Sequence, residues 1–330
     1  MKKSVYIFSD GELHRKDNTL FFKSENKGKF IPVEDINELM VMGEVTLNKK
    51  FLEFVSQKEI LVHYFNYHGY YMGTFYPREH LNSGYMILKQ AENYSDMDKR
   101  IIIARGFVTG AVRNIKQVLK YYNNRGKDLS EFISRIDELS ELSMNSKDIN
   151  ELMAFEGNIR EYYYKAFDVI LDDQDFVFEQ RSRRPPRNYL NCLISFGNSI
   201  LYTITLSEIY QTHLDPRIGF LHTTNFRRFS LNLDVAEVFK PIIIDRLIFT
   251  LISKRMITKK DFEKETGGIL MKEKAKKTFI EELDKRLQTT IKHRKLAHQV
   301  SYRRLIRLEL YKIEKHLMGE EEYSPFVAQW

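Results

Sequence analysis

Three short segments of this sequence place ionisable side chains where helical periodicity and turn signals lead one to expect apolar ones, and together they offer two carboxylates and an imidazole. In the first, Ile149, Leu152 and Met153 open an apolar stripe whose next position is Glu156, with Arg160 and Tyr163 on the same face at i+4 and i+7. Burying an unpaired carboxylate is costly. Glu156 therefore needs either a metal ion or an internal ion pair with Arg160, and the spacing fits both. In the second segment, Gly219-Phe220-Leu221-His222 follows the turn-forming Asp215-Pro216, and a histidine there serves either as a structural group or as a ligand. The third, Asp234-Val235-Ala236-Glu237, has the spacing of a capping box with Asp234 as N-cap. Pro241 cannot donate to the Glu237 carbonyl, so a kinked or loosened turn, with room for an ion or phosphate, is expected beside this acidic pair.

Two carboxylates and an imidazole suit Mg2+ or Mn2+, the nitrogen favouring Mn2+. Competing chemistries lack their motifs. There is no Gly-x-Gly-x-x-Gly, no phosphate-cradling Gly-Lys-Ser/Thr loop, no cysteine pair for structural zinc and no Gly-x-Ser-x-Gly elbow.

The elements that must hold these groups read in two parts. Up to Tyr76 the pattern is strand-like: Val5-Tyr6-Ile7, Thr19 to Phe22, Phe30 to Val33, Ile60 to Val62 and a closing run at Tyr70 to Gly73. One helix capped by Asn48 interrupts them, with Phe51, Leu52, Phe54 and Val55 at helical spacing. Between Pro77 and Gly84 the apolar period changes from 2 to 3.6, which puts the domain boundary there. Beyond it Ile101, Ala104, Val108, Ala111, Val112, Ile115, Val118 and Leu119 make one stripe, with Arg105, Arg113, Lys116 and Lys120 away from it. Helix caps are expected at Asp148, with Glu151 as its capping-box partner, and fraying at 319–322. The pattern predicts an α+β chain, with a small β domain at 1–80 and a mainly helical domain at 81–330.

A chain of 330 residues is long enough for a core in each part. The excess of 52 Lys and Arg over 45 Asp and Glu permits a polyanionic partner without demanding one. The single cysteine, Cys192, sits in an apolar run and is expected to be a buried thiol in a reducing, cytoplasmic setting. The start lacks the apolar length of an export signal. The stretch from Val238 to Ile252 carries Lys240, Pro241, Asp245 and Arg246, so no membrane span is expected there.

In this order the three segments resemble the CRISPR-associated integrase family called Cas-one. That family has an acid in a Glu-Gly helix, a histidine after Gly-Phe-Leu or similar, and an acid in an Asp-x-x-Asp/Glu stretch before Lys/Arg-Pro. Here these are Glu156-Gly157, Gly219-Phe220-Leu221-His222, and Asp234 to Glu237 followed by Lys240-Pro241. Arg184-Pro185-Pro186 with Asn191, Ser195-Phe196-Gly197, Tyr6-Ile7, Asp17-Asn18, Ile31 to Glu34 and Gly43-Glu44-Val45 also match, so the resemblance spans nearly the whole chain. Two positions depart from it. Asn188 stands where an aspartate is expected and receives no catalytic role; Glu237 stands where many relatives have aspartate, and remains an oxygen ligand with longer reach.

The resemblance implies that Glu156, His222 and Glu237 are the catalytic residues and hold the Mg2+ or Mn2+. Asp234 would substitute or support, Arg160 would orient or neutralise Glu156, and Lys240 would meet the phosphate or the leaving oxygen. Deleting a ligand is expected to spare the fold. The partners it implies are double-stranded DNA, a second copy of the chain joined through the β domain, and a small Cas-two dimer bridging two such homodimers. Arg181, Arg183, Arg184, Arg227 and Arg228 would position the DNA backbone, or else are merely solvated. The implied reaction is transesterification of a spacer 3′-hydroxyl onto the repeat, with hydrolysis when water attacks. A stand-alone structure-selective nuclease and a non-catalytic DNA-binding scaffold are the alternatives.

Overall fold

The computed structural model describes residues 3–25, 27–78, 81, 83–223, 229–265, 267–292 and 298–329. It divides into a unit of Met1–Leu81 and a unit of Asn82–Trp330.

The first unit runs β1 (Lys3–Ile7), β2 (Gly11–Lys16), β3 (Thr19–Lys23), β4 (Gly28–Ile31), β5 (Ile36–Val41), β6 (Val45–Leu47), α1 (Lys49–Gln57), β7 (Leu61–Phe65) and β8 (Tyr71–Phe75). One sheet has the order β1-β5-β7-β8, parallel except for β8, and the other has the order β4-β3-β2-β6. Leu13, Leu20, Leu39, Phe51, Val55 and Val62 belong to their common core. The Asn48 side chain accepts the Phe51 N–H at 2.9 Å and so caps α1 as expected. Strands β2, β5 and β6 were not among the strand-like runs. β5 is a central parallel strand with Ile36 and Glu38–Val41 buried, and such a strand shows no alternation to read.

The second unit contains α2 (Gly84–Ser95), α3 (Met97–Asn123), α4 (Ser130–Met144), α5 (Ile149–Leu171), α6 (Tyr189–Ile209), α7 (Leu231–Lys240) and α8 (Arg246–Ser253). A hairpin of β9 (Phe262–Glu265) and β10 (Gly268–Met271) follows, then α9 (Glu273–Gln288), a second hairpin of β11 (Thr290–Lys292) and β12 (Gln299–Ser301), and α10 (Tyr302–Leu317). The architecture is therefore α+β, with the strand-rich part first. Every member of the apolar stripe on α3 is buried. α7 packs against both α3 and α6, which makes it the helix around which the unit is built. By length and composition α6 would pass for a membrane span, yet 83% of its apolar window is buried in the protein, so it is a core helix. Burial likewise pushes the Cys192 thiol on α6 up to about 12.

Residues 319–322 are exposed but not frayed: the Gly319 N–H bonds the His316 carbonyl at 3.0 Å and the Glu320 N–H the Lys315 carbonyl at 2.9 Å, which corrects the fraying expectation, and the chain then returns to the core. Tyr323 donates its hydroxyl to Glu309 at 2.7 Å, and Asn114 of α3 bonds both the Phe326 carbonyl at 3.0 Å and the Ala328 N–H at 2.8 Å. Phe326 stacks on Phe239 of α7 at 5.8 Å between centroids. A Cβ on Gly110 would stand 2.6 Å from Pro325, so α3 needs a glycine where the tail crosses it. The tail thus braces α7 from behind.

Candidate metal centre

The carboxylates of α5 and α7 meet at one guanidinium. Arg160 Nη2 donates to Glu156 Oε1 at 3.1 Å and to Glu237 Oε2 at 2.5 Å, and its Nε adds a 3.2 Å bond to the same Glu156 oxygen. Lys240 pairs with the other Glu237 oxygen, Oε1. The internal ion pair expected of Glu156 is present, and one cation serves both acids. The three groups are not equally deep. Arg160, Glu237 and Lys240 are buried, whereas the Glu156 side chain keeps 21% of its exposure and His222 keeps 29%, so the site opens on their side.

Asp234 has a different role from the cap assigned by its spacing. α7 begins at Leu231, so Asp234 lies inside its first turns and makes no N-cap, and the capping-box expectation for Asp234 and Glu237 is corrected. Its carboxylate instead gathers the preceding loop. Oδ2 accepts the N–H groups of Phe220 at 2.6 Å and Leu221 at 3.0 Å, and Oδ1 accepts the His222 N–H at 2.9 Å and its Nδ1 at 2.8 Å. This wrapping needs Gly219, whose Cβ would lie 2.8 Å from Asp234 Oδ2 and 2.9 Å from the Leu231 nitrogen. With Nδ1 donating to Asp234, Nε2 is the imidazole nitrogen left to bind elsewhere, an orientation typical of a metal-ligating histidine.

Electrostatics couple the groups. Burial would raise Glu237, but Lys240, Arg160 and His222 overcome it and hold the carboxyl at about 2. Burial would lower Lys240, and Glu237 holds it above its ordinary value instead. For His222 burial again lowers, while the hydrogen bond and charge of Asp234, with Glu237, give a net rise. A raised imidazole stays protonated to higher pH, so any metal ligation by it would be favoured only above its titration.

Among the described residues no three acidic, histidine or cysteine side chains are drawn together closely enough to hold an ion as they stand. The pairs above account for how these acids are held: Arg160 and Lys240 neutralise the buried Glu237, and Arg160 the half-buried Glu156. The donor chemistry nevertheless fits a divalent ion. Both carboxylates already converge on one cationic nitrogen, and the nearby imidazole is held with one nitrogen unspent.

Arg181 is turned inward, donating to Asn191 Oδ1 at 2.9 Å and Ser195 Oγ at 3.0 Å, and burial lowers its pKa. That use explains the Asn191 and Ser195 fragments and takes Arg181 from the DNA-facing set. Arg183 and Arg184 are exposed, and Arg227 and Arg228 lie outside the described residues. Asn188 caps α6 through the Asn191 N–H at 2.8 Å, a structural duty that needs no carboxylate.

The expected loosened turn after Pro241 is a π-helical turn, Pro241–Asp245, between α7 and α8. It brings in a group that went unnoticed. Asp245 is fully buried, and burial pushes its carboxyl up to about 7 against the pull of Arg160 and Lys240. A carboxyl with a raised folded pKa costs stability as pH rises, because the unfolded chain ionises near 3.8 and the folded one resists. Asp245→Asn should therefore leave thermal stability unchanged near pH 4 but add ~2–4 kcal/mol near pH 8. Calorimetry at both pH values checks it; an equal effect at each would contradict the buried-acid account.

Residues 5–285 match the family described as CRISPR associated protein Cas1. A CRISPR-associated endonuclease Cas1 of Thermodesulfovibrio yellowstonii is 61% identical over 330 residues, covering 100% of both chains. The solved Cas1 protein from Thermotoga maritima superposes with a TM-score of 0.90 at 48% identity, covering 98% of this chain and 100% of that one. A casposase bound to its integration product shares the fold, with a TM-score of 0.87 at 19% identity over 99% of this chain and 93% of that one. The full-length identity, the family match and the ordered Glu156, His222 and Glu237 segments agree: this chain belongs to the Cas1 family.

Proposed function

We propose that this protein is a metal-dependent DNA endonuclease and integrase of CRISPR adaptation, joining the 3′-hydroxyls of short spacer DNA to the repeat by transesterification. Glu156, His222 and Glu237 would hold Mg2+ or Mn2+. The observation that carries this reading is the convergence of Glu156 and Glu237 on one cationic nitrogen, beside a histidine oriented by Asp234. It is supported by the endonuclease name of the full-length relative, and by the fold shared with a casposase on its integration product.

An ion here would stabilise negative charge on the entering and leaving oxygens. The chain's residues do the rest. Asp234 fixes the imidazole. Lys240 stays charged beside Glu237 and keeps it ionised for binding. Arg183 and Arg184, with Arg227 and Arg228, would meet phosphates and set register. One phosphodiester forms as another breaks, so no nucleotide cofactor is needed, and water in place of the hydroxyl gives hydrolysis at the same centre. The setting would be the cytoplasm, with double-stranded DNA as substrate and a small Cas2 dimer bridging two homodimers.

Donor DNA with a 3′-hydroxyl, a repeat-containing plasmid and Mn2+ should yield joined strands, while a dideoxy-terminated donor should yield none. Cleavage without joining would reduce the protein to a structure-selective nuclease; binding with neither reaction would make it a scaffold.

Assembly would rest on the β domain of residues 1–80. Tyr67 and Met72, beside and within β8, are 63% and 69% exposed, which leaves apolar surface for a second copy to cover. Light scattering of residues 84–330 should give the monomer mass. A dimer as tight as that of the full chain would place the contact in the helical unit.

A further inference from the structure

Away from the acids and the histidine, arginines and tyrosines gather around the C-terminal end of α3. Tyr121 and Tyr122 stand in the last turn of that helix, with 5.1 Å between ring centroids. The guanidinium of Arg125, just beyond the helix, lies 4.2 Å from the Tyr121 ring centre, and that of Arg246, the first residue of α8, lies 4.7 Å from the same ring. Arg286 of α9 donates to the Ile242 carbonyl through Nε at 2.8 Å and Nη2 at 2.5 Å, and stands 5.6 Å from the Tyr302 ring of α10. Stacking on a ring fixes the plane of a guanidinium and holds its N–H fork at the ring's edge, where two oxygens of a phosphate can be clasped.

Ion pairing does not account for the cluster, because among the described residues neither Arg125 nor Arg286 pairs with an acid. Burial, with the charge of Arg246 beside it, holds the Arg286 guanidinium down to about 10. Burial raises the Tyr122 phenol against the pull of Arg246, Arg286 and Arg125, so all three charges reach the same ring. The C-terminal dipole of α3 is worth roughly half an elementary charge and offsets only part of three positive ones. Like charges gathered in this way repel, and an anion laid among them relieves the repulsion.

We propose that Arg125, Arg246 and Arg286, mounted on Tyr121, Tyr122 and Tyr302, bind a backbone phosphate of DNA at a site separate from the metal centre and from Arg183, Arg184, Arg227 and Arg228. This rests on the DNA reading above and adds a contact to it. One continuous helical run joins the two places: α7 carries Glu237, the π-helical turn carries the Ile242 carbonyl that Arg286 holds, and α8 opens with Arg246. At 1.5 Å per residue, Glu237 and Arg246 stand about 13 Å apart along the axis, or about four base-pair steps of 3.4 Å. A duplex engaged at the metal centre is long enough to reach the cluster, and a phosphate held there sets register, not sequence.

The test is fluorescence anisotropy of a labelled DNA duplex with the full-length protein in EDTA, repeated over a series of salt concentrations. Chelation removes cleavage and joining from the readout, so the result does not depend on the metal centre. Arg125→Gln and Arg246→Gln should each reduce the slope of log K against log salt by about 1, and weaken binding about fivefold at roughly 0.15 M salt. Arg125→Lys keeps the charge but loses the stacked fork, so it should retain the slope and still weaken binding about threefold. Tyr121→Phe keeps the ring face and should match the unmodified chain. Unchanged slope and affinity in both glutamine variants overturn the proposal while leaving the DNA reading standing. Arg125→Lys indistinguishable from the unmodified chain reduces the site to diffuse charge and overturns it too. Should Arg246→Gln not fold, the exposed Arg125 carries the test alone. A saturable calorimetric isotherm for inorganic phosphate, lost in Arg125→Gln while DNA binding is untouched, makes the cluster a free-phosphate pocket and overturns the DNA assignment. Failure of the folded unmodified chain to bind duplex DNA overturns both the proposal and the DNA reading.

Discussion

Glu156→Gln, His222→Ala and Glu237→Gln should each lower strand joining by about a thousandfold or more, because losing a ligand forfeits several kcal/mol of charge stabilisation in the transition state. The choice of glutamine matters. Glu237 is the counter-ion of two buried cations, so Glu237→Ala would leave Lys240 without its carboxylate and Arg160 with Glu156 alone, at a cost of about 3–5 kcal/mol of stability. We therefore expect the fold to be spared by removal of His222, which is partly exposed, but not by Glu237→Ala. Joining measured with saturating Mn2+, beside the melting temperature of each variant, separates the two effects. Near-normal joining by His222→Ala would remove the imidazole from the centre.

Asp234→Asn should have the next largest effect, about 10–100-fold, through a different route. An amide keeps one acceptor oxygen and places two N–H donors where the second stood, yet both Asp234 oxygens face donors: two backbone N–H groups on one side, and the His222 N–H with its Nδ1 on the other. One side must break. The Gly219–His222 segment then loosens, and the imidazole loses the bond that fixes its ring. Such partners typically affect metal affinity or activity by about 10–100-fold. Mn2+ affinity and joining should fall together in Asp234→Asn, while Asp234→Glu restores neither, because a longer side chain would carry its oxygens past the Phe220, Leu221 and His222 donors they now meet. A variant with intact Mn2+ affinity would make Asp234 a bystander.

Helical periodicity exposed Glu156 and Arg160, since i and i+4 share a face whatever surrounds the helix, and the ion pair it allowed is present. Local spacing misled at Asp234. Asp-x-x-Glu matches a capping box, but its bonds go to backbone 12–14 residues earlier, a closure that no window around α7 contains. Pro241 announced the loosened turn by chemistry alone, yet the turn's consequence was hidden. In the run Ile242 to Asp245 the charge read only as an interruption of an apolar stretch, and it is the π-helical turn that puts Asp245 into the interior near Arg160. Arg181 illustrates the limit for cations: a sequence shows its charge but not whether Asn191 and Ser195 will claim it.

The most direct test of the central claim measures ion content and strand joining in the same sample. By electron paramagnetic resonance, the full-length chain at about pH 8 should hold one tightly bound Mn2+, and chelation should abolish joining until Mn2+ is restored. His222→Ala and Glu237→Gln should lose ion and joining together. Joining by an ion-free sample, or a His222→Ala protein that keeps both its Mn2+ and its activity, would contradict the assignment of Glu156, His222 and Glu237 as the centre.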